Sequence, residues 1–324
     1  QLRASLQWLR IQCTKIGGPL PEAALAQLDQ LTYLDLGSNS FTGTIPVGIG
    51  NLARLEHLNL QWNDLSGAIP AELTLLGQLR FLGLGGNGLS GQIPDAVGDL
   101  AELQALYIGF NSLTGSIPSS IGKLSKLHSI EIGNNALEGS LPATMRNLLA
   151  VRTLLAPRAV LSGSVPDWLG DLLSLDSLDL SYNELSGVLP ASLSRIRTLR
   201  TVALEFNNLQ GPIEMLAANA ARLEKLTLQG NTHLCGSVPE ELFPLLEEGA
   251  NIVHSSGTML GQTCRLTCQP GAVPEAGACR SFACQVSMSL DLECPDMLLD
   301  GVDSDGEGSS SSSSAGCLCA ASSD

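Results

Sequence analysis

Leu31-Thr-Tyr-Leu34-Asp-Leu36-Gly-Ser-Asn39-Ser-Phe41-Thr-Gly43-Thr-Ile45-Pro46 is the stretch whose pattern decides the fold. Its asparagine returns in steps of 24 as Asn63, Asn87, Asn111, Asn135, Asn183, Asn207 and Asn231, and at the one remaining step stands Ala159. A glycine follows four residues after each of these positions from 39 to 207, as Gly43, Gly67, Gly91, Gly115, Gly139, Gly163, Gly187 and Gly211. No residue is inserted or lost along the way. Such a period marks stacked copies of one small unit, each burying its apolar face only against its neighbours.

Within a unit each residue type has its own task. Leu31, Leu34 and Leu36 point inward from a short strand while small or polar residues alternate outward. Strands of successive units are expected to pair in parallel at about 4.8 Å. The asparagine ends the strand, and its amide can donate and accept toward main-chain groups in a buried turn. Gly43 and its equivalents suit a positive φ or a close approach. Pro46, Pro70, Pro94, Pro118, Pro142, Pro166 and Pro190 fix φ and stop a second extended segment. Ile49 and Leu52 return the chain along the convex side, in a span suited to single turns or 3-10 pieces.

The ends and one interior unit depart from the template. Leu6, Leu9, Ile11 and Thr14 fall where Leu31, Leu34, Leu36 and Asn39 fall, although the step from Thr14 to Asn39 is 25. A degenerate first repeat is the favoured reading; an eroded N-terminal cap ending in Cys13 is the other. In Val151-Arg-Thr-Leu154-Leu-Ala156-Pro157-Arg158-Ala159, alanine replaces both a core leucine and the asparagine, and Pro157 is expected to remove a strand N–H. This unit is either a kink or binding notch, or one tolerated decayed repeat, and decay is favoured. At the far end, Pro239-Glu-Glu-Leu-Phe-Pro-Leu-Leu-Glu-Glu248 is expected to cap the last core layer. The expected boundaries are a solenoid over 1–240, a capping segment over 241–259, a Cys-rich irregular segment over 260–299 and an acidic, Ser-rich disordered tail over 300–324.

Charge and cysteine follow the same division. Residues 1–235 hold 19 acidic and 15 basic side chains, whereas residues 236–324 hold 13 and 2. The net charge of −15 therefore resides mostly in the tail. It argues against nucleic-acid binding, which requires an electropositive surface. Cys235, Cys264, Cys268, Cys279, Cys284, Cys294, Cys317 and Cys319 are an even set of candidate disulfide cysteines, with Cys13 left over. Their crowding suggests an oxidising compartment. The spacings Cys264-x3-Cys268 and Cys279-x4-Cys284 do not match a zinc knuckle, and His57, His128, His233 and His254 are scattered. Neither a metal, a cofactor nor an enzymatic motif is expected. The chain opens at Gln1 and carries no apolar run near the ~18 residues of a membrane span, so it is read as a mature chain or a fragment.

The template Leu-x-x-Leu-x-Leu-x-x-Asn-x-Leu-x-Gly-x-Ile-Pro, matched almost fully by Asn63-Asp-Leu65-Ser-Gly67-Ala-Ile69-Pro70, resembles the plant-type leucine-rich repeat. Gly230-Asn231-Thr-His-Leu234-Cys235-Gly236 resembles the segment that closes many such arrays. The resemblance covers roughly residues 1–240 and implies an α/β, right-handed solenoid of about ten 24-residue repeats with a parallel concave sheet. It implies an extracellular or cell-surface, non-enzymatic recognition role, as in receptor-like proteins and kinases or polygalacturonase-inhibiting proteins. The expected ligand is a protein or peptide, with a glycan as a further option, bound on the concave face. A secreted inhibitor of a cell-wall hydrolase and an adhesive wall protein are the alternatives. A receptor would carry its membrane span downstream of the Ser-rich stretch in a longer protein. No Asn-x-Ser/Thr sequon occurs in the chain, although secreted members of this family usually carry several.

Since leucine, asparagine, glycine and proline specify the scaffold, function is expected in the positions left free. Six residues before each asparagine position the outward column reads Trp8, Tyr33, His57 and Phe81, then Ala105, Ser129, Thr153, Ser177, Thr201 and Lys225. The neighbouring columns carry Asp35, Asn59, Tyr107, Glu131, Asp179 and Glu205. Rings aligned on a rigid sheet make low-entropy contacts to a ligand; alternatively they stack on one another for stability. The expected ligand-binding set is Trp8, Tyr33, Asp35, His57, Asn59, Phe81, Tyr107 and Glu131. A second aromatic set, Trp62, Phe110, Tyr182 and Phe206, directly precedes the asparagines and is expected to serve packing.

Overall fold

The computed structural model describes residues 5–243, 257–262, 264, 267–268 and 284–285. Two units are distinguished, Gln1–Thr263 and Cys264–Asp324. The first is the solenoid. Ten three-residue strands, from Trp8–Arg10 through Tyr33–Asp35 to Lys225–Thr227, form one parallel sheet in sequence order. Each strand is in register with the next, so that Trp8, Tyr33, His57 and Phe81 stand in one row and Leu9, Leu34, Leu58 and Leu82 in another.

The core lies behind this sheet as a series of near-identical leucine layers. In one unit Leu55, Leu58, Leu60, Leu65 and Leu76 are all fully buried. Burying such a side chain stabilises by about 1.5–3 kcal/mol. On the far side, Pro46, Pro70, Pro94, Pro118, Pro142, Pro166 and Pro190 each directly precede a 3-10 turn, such as Val47–Asn51 and Ala71–Leu75. Proline fits there because it fixes φ and has no N–H left unpaired at the start of a turn.

Between the concave sheet and the 3-10 turns runs a second set of strands. It is divided: one sheet of six strands spans Gly17–Pro19 to Ala136–Glu138, and another of five spans Ser162–Ser164 to Met259–Leu260. Between the two, only an isolated bridge joins Gly139 and Leu161. The division falls at the unit that carries Ala159.

The asparagines explain why. Asn63 Nδ2 donates to the carbonyl oxygens of Leu60 in its own unit and Leu36 in the preceding one, both at 3.0 Å. Its Oδ1 accepts the N–H of Phe41 at 3.0 Å. Asn87, Asn111, Asn135, Asn207 and Asn231 repeat this pattern, stitching each turn to the one before. Where alanine stands, the stitch is missing and the turn changes shape. The N–H groups of Ala159 and Leu161 both go to Oδ1 of Asn183, at 3.0 and 2.9 Å. Arg158 keeps the positive φ that every unit has at its position, and Val160 takes a further one of 55°.

The other unit without the asparagine behaves alike. Thr14 and Ile16 donate their N–H groups to Asn39 Oδ1, and Cys13 and Lys15 both have positive φ. A unit lacking its own asparagine thus leans on that of the next. Val160 is β-branched, for which a positive φ is unusual and strained.

One expectation needs correction. Pro157 breaks no ladder bond. At the equivalent position, the N–H groups of Gly37, Gln61 and Ser181 bond outward to Asp35, Asn59 and Asp179 rather than to a neighbouring strand. In the irregular unit that acceptor position is held by Leu155, which offers nothing to accept, so a proline is accommodated there.

At the C-terminal end Cys235 and Gly236 pair in parallel with Met259 and Leu260, adding a strand beyond the last asparagine. Cys235 and Cys264 are each disulfide-bonded, and Cys13 is a free, exposed thiol. In the second unit, Cys268 and Cys284 are register partners in a short antiparallel pair of strands, Thr267–Cys268 and Cys284–Gln285. Cys279, Cys294, Cys317 and Cys319 lie outside the described residues, as do the proposed tail over 300–324 and much of the proposed segments over 241–259 and 260–299.

Candidate ligand-binding surface

All eight residues singled out in the sequence stand on the first six strands of the concave sheet. Their rings form a continuous train. Trp8 stacks on Tyr33 with centroids 3.5 Å apart and planes 2° from parallel, Tyr33 on His57 at 4.1 Å, and His57 on Phe81 at 4.2 Å. Phe81 meets Tyr107 edge to face at 5.4 Å. This is the stacking that in-register parallel strands impose when each carries a ring, and each such pair is worth about 0.5–1.5 kcal/mol beyond area burial. The interior ring faces are therefore occupied by one another. Trp8 leads the train and is 59% exposed.

Beside the train lies a closed polar network. Asp35 is buried, and its carboxylate accepts from Asn59 Nδ2 at 2.9 Å, from the Gly37 N–H, from Gln12 and from the Tyr33 hydroxyl, with Arg10 at 3.6 Å. Burial, then the Asp35 charge, raise the Tyr33 phenol above its ordinary value. Asn59 in turn accepts the Gln61 N–H. Asp35 and Asn59 are thus engaged within the protein. Arg10 and Gln12, absent from the sequence-derived set, complete the network; their registration with Asp35 and Gly37 was the available signal.

His57 is held differently. Its Nε2 is buried without a hydrogen-bond partner among the described residues, and burial lowers its pKa. Glu131 stands at the end of the site, half-buried, with its carboxyl raised by burial. Among the described residues it has no ion pair or side-chain hydrogen bond.

The second aromatic set occupies an edge of the solenoid. Trp62, Phe110, Tyr182 and Phe206 all have positive φ, between 54° and 57°, and all are exposed. The strand turns into the asparagine loop here, and every unit from Ser38 to Gly230 adopts this conformation. Trp62 leans over Gly86, where a Cβ would come within 2.4 Å of its ring, and reaches Phe110 at 5.7 Å. Arg158 lies 4.0 Å over the Tyr182 ring, which stacks on Phe206 at 4.5 Å. Arg158, Val160, Tyr182, Asn183, Glu184 and Phe206 line an open hollow at the irregular unit.

Among the described residues no group of His, Cys, Asp and Glu side chains is placed to hold a metal ion, and no helix is long and apolar enough to cross a membrane.

Comparison with known proteins accords with this geometry. Residues 69–246 match the model of a leucine-rich repeat region, and residues 4–65 that of a leucine rich repeat. No curated protein sequence matches the chain. Among solved structures, the Arabidopsis receptor kinase HAESA, in complex with the peptide hormone IDA and the co-receptor SERK1, is similar at 28% identity and a TM-score of 0.72. That match covers 81% of this chain and 44% of HAESA. The PEPR1–AtPEP1 structure is similar at 31% identity and a TM-score of 0.70, over 78% of this chain and 35% of that one. A plant ice-binding protein is similar at 27% identity and a TM-score of 0.68, over 79% of this chain and 83% of its own. The chain thus spans less than half the length of these receptor structures. With its register, its asparagine ladder and family models matching both stretches, the chain belongs to the leucine-rich repeat family.

Proposed function

We propose that this chain is a non-enzymatic, receptor-like recognition module that binds a protein or peptide ligand through the first six strands of its concave sheet. One observation carries this reading: rings and an unpaired acid are gathered on strands Trp8–Arg10 to Ser129–Glu131, whereas the outward column beyond them carries Thr153, Ser177 and Thr201. The structure of HAESA with the peptide hormone IDA supports a peptide as the ligand class. The disulfide-bonded Cys235 and Cys264 support a place outside the cell.

Replacing Trp8, Tyr33 and Phe81 together by serine tests the site. The expected result is loss of partner capture; unchanged binding would sink the proposal. Because the rings stack on one another, Trp8→Ser alone, which removes a single stacking contact, separates lost binding from lost stability. Should the captured partner be a cell-wall hydrolase whose activity falls on binding, the inhibitor reading replaces the receptor one.

A second reading rests on a different face. Thr42, Ser66, Ser90 and Thr114 stand exposed at equivalent positions of the second sheet, each two residues out of register with the next. Ser66 and Thr114 donate to the carbonyls of Gly43 and Gly91. Exposed short hydroxyls that recur once per unit suit an ordered water lattice, and the plant ice-binding protein matches over most of its own length. Inhibition of ice recrystallisation by the intact chain, lost in Thr42→Lys/Thr114→Lys, would support this second reading; no inhibition by the intact chain removes it.

A further inference from the structure

The concave column four residues before the asparagines carries three acids, and they are not alike. Asp35 is buried and satisfied by Arg10, Gln12, Tyr33, Asn59 and the Gly37 N–H. Asp179 accepts from the N–H and hydroxyl of Ser181. Glu131 has neither kind of partner among the described residues, although burial already disfavours its charged form. Its flanking strands, Ala105–Tyr107 and Thr153–Leu155, carry no lysine or arginine. A half-buried carboxylate left without a cation at the end of a binding face is stabilised when a ligand supplies one.

The surroundings specify what kind of cation fits. Tyr107 is the register partner of Glu131 on the neighbouring strand, so their side chains stand adjacent on the same face. Phe81 packs its ring edge to face with Tyr107, which holds the tyrosine ring in place. Glu131 leans over Gly109, where a Cβ would lie 3.3 Å from its Cγ and Oε1, so the carboxyl rests above bare backbone on the Tyr107 side. An ordered ring and an unpaired carboxylate side by side form a seat for a long cationic side chain, which lays its stem on the ring and its head on the acid.

We propose that the ligand presents a lysine or arginine side chain that pairs with Glu131 and lies against Tyr107. This rests on the concave-face reading above and adds the chemistry of the partner: a peptide segment with a basic residue at a fixed position.

Panning a randomised dodecapeptide display library on the full chain, and on Glu131→Gln, Glu131→Lys and Tyr107→Ala, tests it. The glutamine variant keeps the shape of the side chain, and urea unfolding of each variant reports whether the solenoid is intact. Peptides selected by the intact chain should share a lysine or arginine at one position. Their affinity should fall about ten- to hundredfold on Glu131→Gln, as expected for loss of one charge-assisted contact, and weaken with added salt. Glu131→Lys should select acidic residues at that position instead.

Selected peptides that show no basic preference, or that bind Glu131→Gln as tightly as the intact chain, overturn the pairing. If Trp8→Ser or Tyr107→Ala still weakens those peptides, the concave reading stands without it. If no substitution on this face changes binding, or no peptide is enriched, both fall.

Discussion

The unit around Asn63 and the unit around Ala159 share a length and the same buried strand positions, yet only one is stitched to its neighbour. Asn63 ties three main-chain groups across two units, and the second sheet passes through it unbroken. At Ala159 those ties are gone and the second sheet divides, while the concave sheet continues across the strand Thr153–Leu155 in full register. The comparison separates two sources of order. The concave strands are held by each other and by the leucines behind them, so they survive loss of one asparagine. The loops that lead into the second sheet are held by the asparagine amide and do not.

The strongest way to break this picture is to remove the amide that serves two units. Asn183 Nδ2 donates to Ala156 and Leu180, and its Oδ1 accepts from both Ala159 and Leu161. Asn183→Ala is expected to destabilise by about 3–5 kcal/mol, since several buried main-chain groups lose partners at about 1–3 kcal/mol each. Asn111→Ala, in a half-exposed regular unit, should lose about 1–3 kcal/mol. Urea unfolding measures both, and equal losses would contradict a special load on Asn183.

Next in size comes Gly86→Ala. A Cβ there meets the Trp62 ring at 2.4 Å, and the backbone is at φ 68°. A loss of about 1–2 kcal/mol is expected from a side chain forced into this region. In the double variant with Trp62→Ala the ring contact is absent, so the loss should shrink; an unchanged loss would assign all of it to the backbone.

Ala159→Asn sharpens the comparison from the other side. Restoring the amide should reconnect Ile132, Ala156 and Leu137 and raise stability by about 1 kcal/mol. Hydrogen exchange at Leu161 and Ser162 should slow as the second sheet closes. A destabilised variant would mean that packing around the buried Ala159 holds the turn in its present shape, rather than the missing amide.

The smallest effect lies in the ring train. Burial holds His57 below the ordinary histidine value, so the unfolded chain binds a proton more readily than the folded one. Stability should therefore fall as pH drops through the unfolded-state pKa, near the ordinary histidine value of 6.5, and flatten below the folded-state value. His57→Phe keeps a ring in the stack and should abolish that part of the pH dependence. Stability curves between about pH 7 and 5 that coincide for both proteins would show that the histidine does not report its burial in this way.

Much of the scaffold was legible because a 24-residue period leaves one arrangement that buries every leucine row. Tyr33, His57 and Phe81 could be placed side by side from register alone. What period and register do not carry is whether a side chain is already satisfied. Asp35 and Glu131 look equivalent in the sequence, in one column and four units apart. Only the folded structure reveals that Arg10, Gln12 and Asn59 close around the first while, among the described residues, no cation or hydrogen-bond donor meets the second. Pro157 likewise looked disruptive until the outward bonds of Gly37, Gln61 and Ser181 placed its position outside the ladder.

By itself the sequence determined the solenoid, its strand order and the row on which each side chain would stand, because a strict repeat converts spacing directly into geometry. The tertiary structure decided where the second sheet divides, that the edge aromatics sit on left-handed backbone, and which polar groups of the concave face are left for a partner. Those outcomes depend on contacts between units, on hydrogen-bond satisfaction and burial, which no single repeat encodes.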